Sequence, residues 1–430
     1  MIVKRRITFS LNNINLSHIF LFFVFLNFFW AVWTELSFSE VIYEVCTFAL
    51  FGWAALYFFL NLKSKVSDSS MACVLCVGVW CLLMFGAYQI CRNHSTVSFL
   101  GFSMDSYAKI MIYDLVLLIP GMFLRDACVL KQKNIFKLAL AVILISSLVL
   151  TMYAVAVYPN AMRSRVTAEV LGYEDILFGL PEYTNIYAMS LFFPWLLMKS
   201  KNEEGFNKLF YMGLAICLVL LVALSQFATA LIAMIVGFAV YFIGISKDRP
   251  IRAMACILLF VLFFAVGMDT WGELLINISQ NTEGDWADKL VEIGEFLQGN
   301  EASGDLGSRM DYYSTSWSSF VKSPLLGTIT AGKMNFGGHA TLFDILASVG
   351  IVGTIPFLIF IVLTIRKMLA CATNTVSKAS VWGTVATFLV LLFLKNIISA
   401  ISILYSFAVL LPILYNSEAQ NELDKKTNIQ

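Results

Sequence analysis

The chain has 430 residues, of which 59% are hydrophobic and only 13% are charged, and its mean hydropathy is +0.80. Soluble domains are about half apolar and about a quarter charged. The composition therefore excludes a soluble globular protein, a disordered chain and a disulfide-stapled secreted module. A net charge of +1 also argues against nucleic acid as a partner. An all-α polytopic membrane protein is predicted.

Membrane-spanning helices need about 20 mostly apolar residues. Twelve stretches meet this requirement: 16–34, 41–62, 71–91, 107–124, 135–158, 182–198, 209–224, 226–245, 253–268, 348–366, 381–394 and 397–415. With the N-terminus in the cytoplasm, most of the 29 Lys and Arg residues fall in inner segments, as the positive-inside rule requires. We expect both termini to be cytoplasmic, with residues 417–430 as a tail.

The longest connection between spans covers residues 269–347 and lies on the extracytoplasmic side in this arrangement. It separates a bundle of nine spans, residues 1–268, from the last three spans, residues 348–416. Loops of this length in a compact protein are usually functional or disordered. An amphipathic stretch, Asp285–Gln298, predicts a helix in this loop that either lies on the membrane or caps the bundle.

A second helix is predicted further along the loop. Ser308 and Asp311 have the spacing of a capping box at a helix start, and Pro324 marks the end. Arg309 then falls in the first turn, where free N–H groups and the helix dipole already favour an anion. Its guanidinium is a candidate to clamp a phosphate through two hydrogen bonds. The alternative is a surface ion pair with Asp305 or Asp311.

His339 follows two glycines, Gly337 and Gly338, and opens an apolar helix. The start of a helix favours the neutral imidazole, which accepts a proton. His339 is therefore a candidate general base, and the alternative is a loop histidine without a chemical role.

A shorter outer loop, residues 159–182, carries Arg163 and Arg165. Two arginines are notable on this side of the membrane because the chain places most basic residues inside. They are candidates to bind the diphosphate of a lipid, and the alternative is binding to anionic lipid headgroups.

An ordered series of motifs runs from the long loop into the tenth span: Arg309, Trp317, Pro324-Leu325-Leu326-Gly327, Gly338-His339 and Gly350-Ile351-Val352-Gly353. With the twelve-span layout, this series resembles the Wzy/O-antigen ligase superfamily. The pattern Gly-Gly-His-x-x-x-x-Asp is more similar to repeat-unit polymerases than to ligases, which usually show His-Asn-x-x-Leu. Many members have Ser-Arg at the turn between spans seven and eight, where this chain has Ser225-Gln226.

The resemblance implies a GT-C-like bundle in the inner membrane of a bacterium, with its active site outside the cytoplasm. The donor would be a glycan on undecaprenyl diphosphate. Arg309, with Arg163 or Arg165, would stabilise the leaving diphosphate, and His339 would deprotonate the acceptor hydroxyl. No cofactor and no metal are expected, and the chain contains no Asp-x-Asp motif. Attack opposite the diphosphate predicts inversion at the anomeric carbon.

The resemblance also implies roles for residues near the histidine. Asp344 would position the acceptor or cap the site. Tyr312, Tyr313 and Trp317 would stack on sugars, and the alternative is that they pack against the bundle.

The predicted function is a polymerase for O-antigen, capsule or exopolysaccharide that joins lipid-linked repeat units. Its enzymatic rival is an O-antigen ligase that moves the glycan to lipid A–core. A transporter or lipid-linked glycan flippase is a different class, but the notable polar residues cluster in outer loops rather than at the bilayer midplane. A structural assembly subunit is a further alternative. Expected partners are membrane lipid and a chain-length regulator or flippase.

Overall fold

The computed structural model describes residues 16–61, 68–94, 117–127, 133–158, 161–162, 178–245, 268–282, 285–300, 304–332, 336–398 and 400–416. Most of the predicted spans 107–124 and 253–268, and the tail 417–430, lie outside these residues. The described residues form helices and no strand, which confirms the all-α class.

The helices that precede the long loop are α1 (Leu16–Phe29), α2 (Ala31–Thr34), α3 (Ser39–Asn61), α4 (Asp68–His94), α5 (Leu118–Ala127), α6 (Lys133–Val157), α7 (Tyr183–Ser190), α8 (Phe193–Asn202), α9 (Gly205–Leu224) and α10 (Ala228–Ile245). The long loop contains α11 (Met268–Ser279), α12 (Asp285–Leu297), α13 (Gly304–Lys322) and α14 (Thr328–Ala331). The chain then forms α15 (Thr341–Cys371), α16 (Thr375–Leu394) and α17 (Ile401–Tyr405), which continues into a π-helical turn at Ser406–Leu410.

Seven described helices, α3, α4, α6, α9, α10, α15 and α16, are long and apolar enough to cross a membrane. They confirm a polytopic membrane protein, whereas the predicted number of twelve spans is not confirmed. Two predicted spans are interrupted. Trp30 is extended between α1 and α2, and α7 ends before Pro194, whose ring cannot continue a helix from the preceding turn.

The bundle is held by close helix pairs, of which α10 against α16 is the most extensive. Gly237 and Gly383 meet at this crossing, and a Cβ on Gly383 would lie 2.7 Å from the carbonyl oxygen of Gly237. Because lipid tails are as apolar as the side chains, membrane helices associate through such close backbone packing rather than through a hydrophobic driving force. In the same bundle, α15 packs along α4, and α9 packs on α6 and α8.

The predicted amphipathic helix is present as α12, and it forms a hairpin with α11. The two helices cross where a Cβ on Gly272 would lie 2.5 Å from the carbonyl oxygen of Gly294. The indole Nε1 of Trp286 donates a hydrogen bond to the carbonyl oxygen of Ala223 at the end of α9, over 3.2 Å. This contact attaches the hairpin to the bundle, as expected for a helix that caps it.

The predicted start of the second loop helix was wrong. Helix α13 begins at Gly304, four residues before Ser308, and the Ser308 hydroxyl donates to the carbonyl oxygen of Gly304 inside the helix. Only glycine suits the first position of this helix. Its φ is +57°, and a Cβ there would overlap the carboxylate of Glu292 on α12. Arg309 therefore lies in the second turn of α13, away from the free N–H groups of the first turn.

Candidate active site

The loop that carries His339 is bound tightly against α13. The backbone N–H of Gly337 donates to the hydroxyl of Ser316 over 2.8 Å, and a Cβ on Gly337 would overlap the carbonyl oxygen of Tyr312. Gly338 has a φ of +73°, which is the left-handed region that favours glycine. The two glycines before His339 thus serve different needs, close approach to α13 for the first and a left-handed turn for the second.

Asp344 holds this loop in place from the first turn of α15. Its carboxylate accepts hydrogen bonds from the hydroxyl of Ser316 at 2.5 Å, the N–H of Gly338 at 3.3 Å and the N–H of Ala340 at 3.2 Å. The side chains of Ser316 and Asp344 are each 1% exposed. The carboxylate faces the loop rather than solvent, so the geometry favours the capping role over direct contact with an acceptor.

The imidazole of His339 lies outside this buried network and is exposed. Its ring stacks on Tyr312 with centroids 4.4 Å apart and 16° between the planes. The contact uses the face of the imidazole ring. Both nitrogen atoms lie on the edge of the ring and are not part of this contact. Arg309 is partly exposed and lies three residues before Tyr312, so the two share one side of α13. The structure therefore joins Tyr312 to His339, and Arg309 lies about one helical turn before Tyr312 on α13.

The other two predicted aromatic residues pack against the start of α15. Tyr313 stacks on Phe343 at 5.8 Å, and Trp317 meets the same ring edge-on at 6.3 Å. Half of Trp317 nevertheless remains exposed. Packing thus accounts for Tyr313 more fully than for Trp317, which keeps a surface on which a sugar ring can stack.

The turn after α16 borders the same loop. The amide of Asn396 donates to the carbonyl oxygen of Gly338 over 3.0 Å, and the carbonyl oxygen of Lys395 accepts from both the N–H and the hydroxyl of Thr341. The residues on either side of His339 are therefore tied to this turn. Lys395 and Asn396 stand out in the sequence as polar residues at the tight turn between the last two predicted spans, but their contact with the loop of His339 was not predicted. Ser316 carries no such signal.

Residues 213–358 match the family model described as O-antigen ligase. This match supports membership of the Wzy/O-antigen ligase superfamily. The match runs from α9 to the middle of α15 and includes Arg309, Tyr312, His339 and Asp344. Members of the O-antigen ligase family are glycosyltransferase-like enzymes that act on lipid-linked glycans. No curated protein matches the chain.

Two motifs of the O-antigen ligase series bind each other. Helix α15 is broken at Gly350, which has a φ of +64°, and the N–H groups of Ile351 and Val352 are thereby redirected. They donate to the carbonyl oxygens of Pro324 and Leu325 over 2.9 and 3.1 Å. The proline motif and the glycine motif are thus the two halves of one backbone contact that fixes the end of α13 to the middle of α15.

Helix α9 is joined to α10 by the turn Ser225-Gln226, where many members of the superfamily that the chain resembles have Ser-Arg. Gln226 has a φ of +59°, a conformation rare for a residue with a side chain, and is 9% exposed. The next residue, Phe227, packs on Tyr187 with ring centroids 6.1 Å apart. Arg163 and Arg165, the other cations predicted for an O-antigen ligase site, lie outside the described residues.

Proposed function

We propose that the protein is a polysaccharide polymerase for O-antigen, capsule or exopolysaccharide. It transfers a glycan from undecaprenyl diphosphate to a sugar hydroxyl of a second lipid-linked repeat unit. The observation that carries the proposal is the exposed imidazole of His339, which is stacked on Tyr312 of α13 within the region that matches the family. Arg309 precedes Tyr312 by three residues on the same helix. The Gly-Gly-His pattern favours the polymerase over the ligase.

In this reaction His339 accepts the proton of the acceptor hydroxyl. The acceptor oxygen forms a bond to the anomeric carbon of the donor, and the bond from that carbon to the diphosphate oxygen breaks. The released undecaprenyl diphosphate gains negative charge, which the guanidinium of Arg309 stabilises through charge-assisted hydrogen bonds. Attack on the face opposite the diphosphate inverts the anomeric carbon, and the proposed reaction uses no metal.

The remaining predicted residues fit around this step. Arg163 and Arg165 are assigned to the same diphosphate, and Trp317 is assigned to the acceptor sugar, with Tyr313 supporting it. Asp344 acts as a positioning residue because it holds the loop of His339. The site faces the outer leaflet of the inner membrane, with both termini in the cytoplasm. A chain-length regulator and a flippase are the expected protein partners.

The test uses a bacterial strain that lacks the native protein and carries plasmid copies of it. We expect wild type to restore a ladder of long glycans, while His339→Ala and Arg309→Ala leave a single repeat unit on the acceptor lipid. Lys322→Ala, which removes an exposed cation from the end of the same α13, is the matched control and should restore the ladder. Membrane abundance of every variant is measured alongside. Full ladders from both site variants would refute the proposal.

The same experiment distinguishes the alternative that the family description favours, an O-antigen ligase. A strain without a ligase shows bare lipid A–core and accumulates the polymer on its lipid carrier, whereas a strain without a polymerase transfers one repeat unit. A strain without a flippase would instead keep its repeat units on the cytoplasmic side of the membrane. If this protein were a flippase, mutation of His339 would not change the glycan ladder.

A further inference from the structure

The turn after α16 places a lysine next to the candidate active site. Helix α16 ends at Leu394, and Lys395 is extended, with φ −138° and ψ 156°. Its carbonyl oxygen accepts hydrogen bonds from the N–H and the hydroxyl of Thr341, at 3.1 and 2.9 Å. The hydroxyl of Thr341 also accepts from the N–H of Ile397 at 2.6 Å. The backbone of the turn is therefore fixed to the first residue of α15, two positions after His339.

Asn396 fixes the turn to the other side of the histidine. Its amide nitrogen donates to the carbonyl oxygen of Gly338 over 3.0 Å, and its amide oxygen accepts from the N–H of Ile398 over 3.1 Å. The turn thus contacts the residue before His339 as well as Thr341. These contacts use backbone atoms and the side chain of Asn396, so the position of the turn does not depend on the lysine ammonium.

The ammonium of Lys395 lies over an aromatic ring. Its Nζ is 5.1 Å from the centroid of Tyr187, which is 2% exposed and packs against Tyr183 and Phe227. A cation over a buried ring is attracted by the negative face of the ring and is partly removed from water. The lysine itself is only partly buried, unlike the ring below it.

We infer that Lys395 is a further binding residue of the site and contacts the diphosphate of the lipid-linked donor. This inference rests on the proposed function. A diphosphate distributes its charge over two phosphates, so contact with both requires cations from more than one element of the protein. Arg309 from α13 supplies a planar fork, and Lys395 from the end of α16 supplies a compact point charge on a flexible stem. The loop of His339 contacts α13 through Ser316 and the turn after α16 through Asn396.

The test measures binding of undecaprenyl diphosphate and of inorganic pyrophosphate to the purified full-length protein in nanodiscs. Lys395→Ala should weaken binding of both by about 10-fold to 100-fold, the loss expected for one charge-assisted contact. Lys395→Arg, which keeps the charge, should bind close to wild type. Lys378→Ala, on the other end of the same helix, is the matched control and should bind as wild type.

The outcomes separate this inference from the proposed function. If wild type binds undecaprenyl diphosphate and Lys395→Ala binds both probes equally well, the assignment of Lys395 is wrong while the proposed function stands. If Lys395→Ala loses binding to undecaprenyl diphosphate but keeps binding to pyrophosphate, contact with the diphosphate is also contradicted. Failure of wild type to bind either probe would overturn both. The backbone contacts of Lys395 survive truncation, and Lys395→Gln replaces the alanine variant if thermal unfolding shows that the latter is destabilised.

Discussion

The imidazole of His339 and the phenol ring of Tyr312 lie almost parallel, 4.4 Å apart. Tyr312 comes from α13 and His339 from the loop before α15, so the contact joins a helix of the long loop to the segment that leads into α15. It also sets the plane of the imidazole. An exposed base with a fixed plane needs less reorientation before it accepts a proton, which is a gain in orientation rather than in basicity.

Removal of the Tyr312 ring should reduce the rate of glycan transfer without abolishing it. Tyr312→Ala loses a stacking contact worth about 0.5–1.5 kcal/mol, so we expect the initial rate to fall by about 2-fold to 10-fold. The rate is measured with purified protein and lipid-linked repeat units. Tyr312→Phe keeps the stacked ring and should retain the wild-type rate. A slow phenylalanine variant would show that the hydroxyl, rather than the stacked ring, is what matters.

Asp344→Asn should destabilise the loop of His339. The carboxylate accepts from Ser316, Gly338 and Ala340, and an asparagine would present an N–H₂ group to at least one of these donors. A buried donor left without an acceptor costs about 1–3 kcal/mol, so the melting temperature in detergent should fall. Ser318→Ala removes an exposed hydroxyl from α13 and serves as the control. Equal melting temperatures for Asp344→Asn and wild type would contradict this account of the network.

Gly337→Ala should separate the loop from α13. The added methyl group would overlap the carbonyl group and the Cβ of Tyr312, and none of these atoms can rotate away. Overpacking of this kind typically costs about 1–3 kcal/mol, and we expect chain extension in cells to be lost or strongly reduced. Gly213→Ala, where a Cβ meets nothing within 4 Å, is the control. A Gly337→Ala strain with a normal glycan ladder would show that the close approach is not needed.

Gly350→Ala should weaken the attachment of α13 to α15. Its φ of +64° and ψ of −169° lie in a region that is nearly restricted to glycine, and a Cβ would overlap the backbone of Leu325. We expect a loss of at least about 2 kcal/mol in stability, observed as a lower melting temperature and faster proteolysis of α13. Gly78→Ala in α4, where a Cβ meets nothing within 4 Å, should leave both unchanged. Slow proteolysis of the Gly350 variant would contradict the proposed role of this break.

Local patterns predicted the helices well where one face or one stretch was apolar. The amphipathic helix α12 was predicted to within one residue, Asp285–Gln298 against Asp285–Leu297. The start of α13 was missed because Ser308 and Asp311 imitate a capping box, while the true start depends on a glycine beside Glu292 of another helix. A capping motif is a local signal, and a contact between two helices can override it.

The sequence supplied the candidate residues of the site but not the contacts that hold them in place. His339 and Arg309 are rare residue types in outer loops, so composition made them visible. Ser316 is an ordinary serine within a helix, and only the fold reveals that it joins Gly337 to Asp344. The contact between Asn396 and Gly338 joins residues 58 positions apart, a distance at which no periodicity operates.

The break at Gly350 divides α15 into two pieces with different attachments. Residues 341–349 are connected to the outer assembly through Asp344 and Thr341, and the N–H groups just beyond the break bind the segment that follows α13. The part of α15 after Gly350 packs with the transmembrane helices. A single glycine, which has no Cβ to resist this backbone conformation, therefore separates the part of α15 that supports the loop of His339 from the part that lies in the helix bundle.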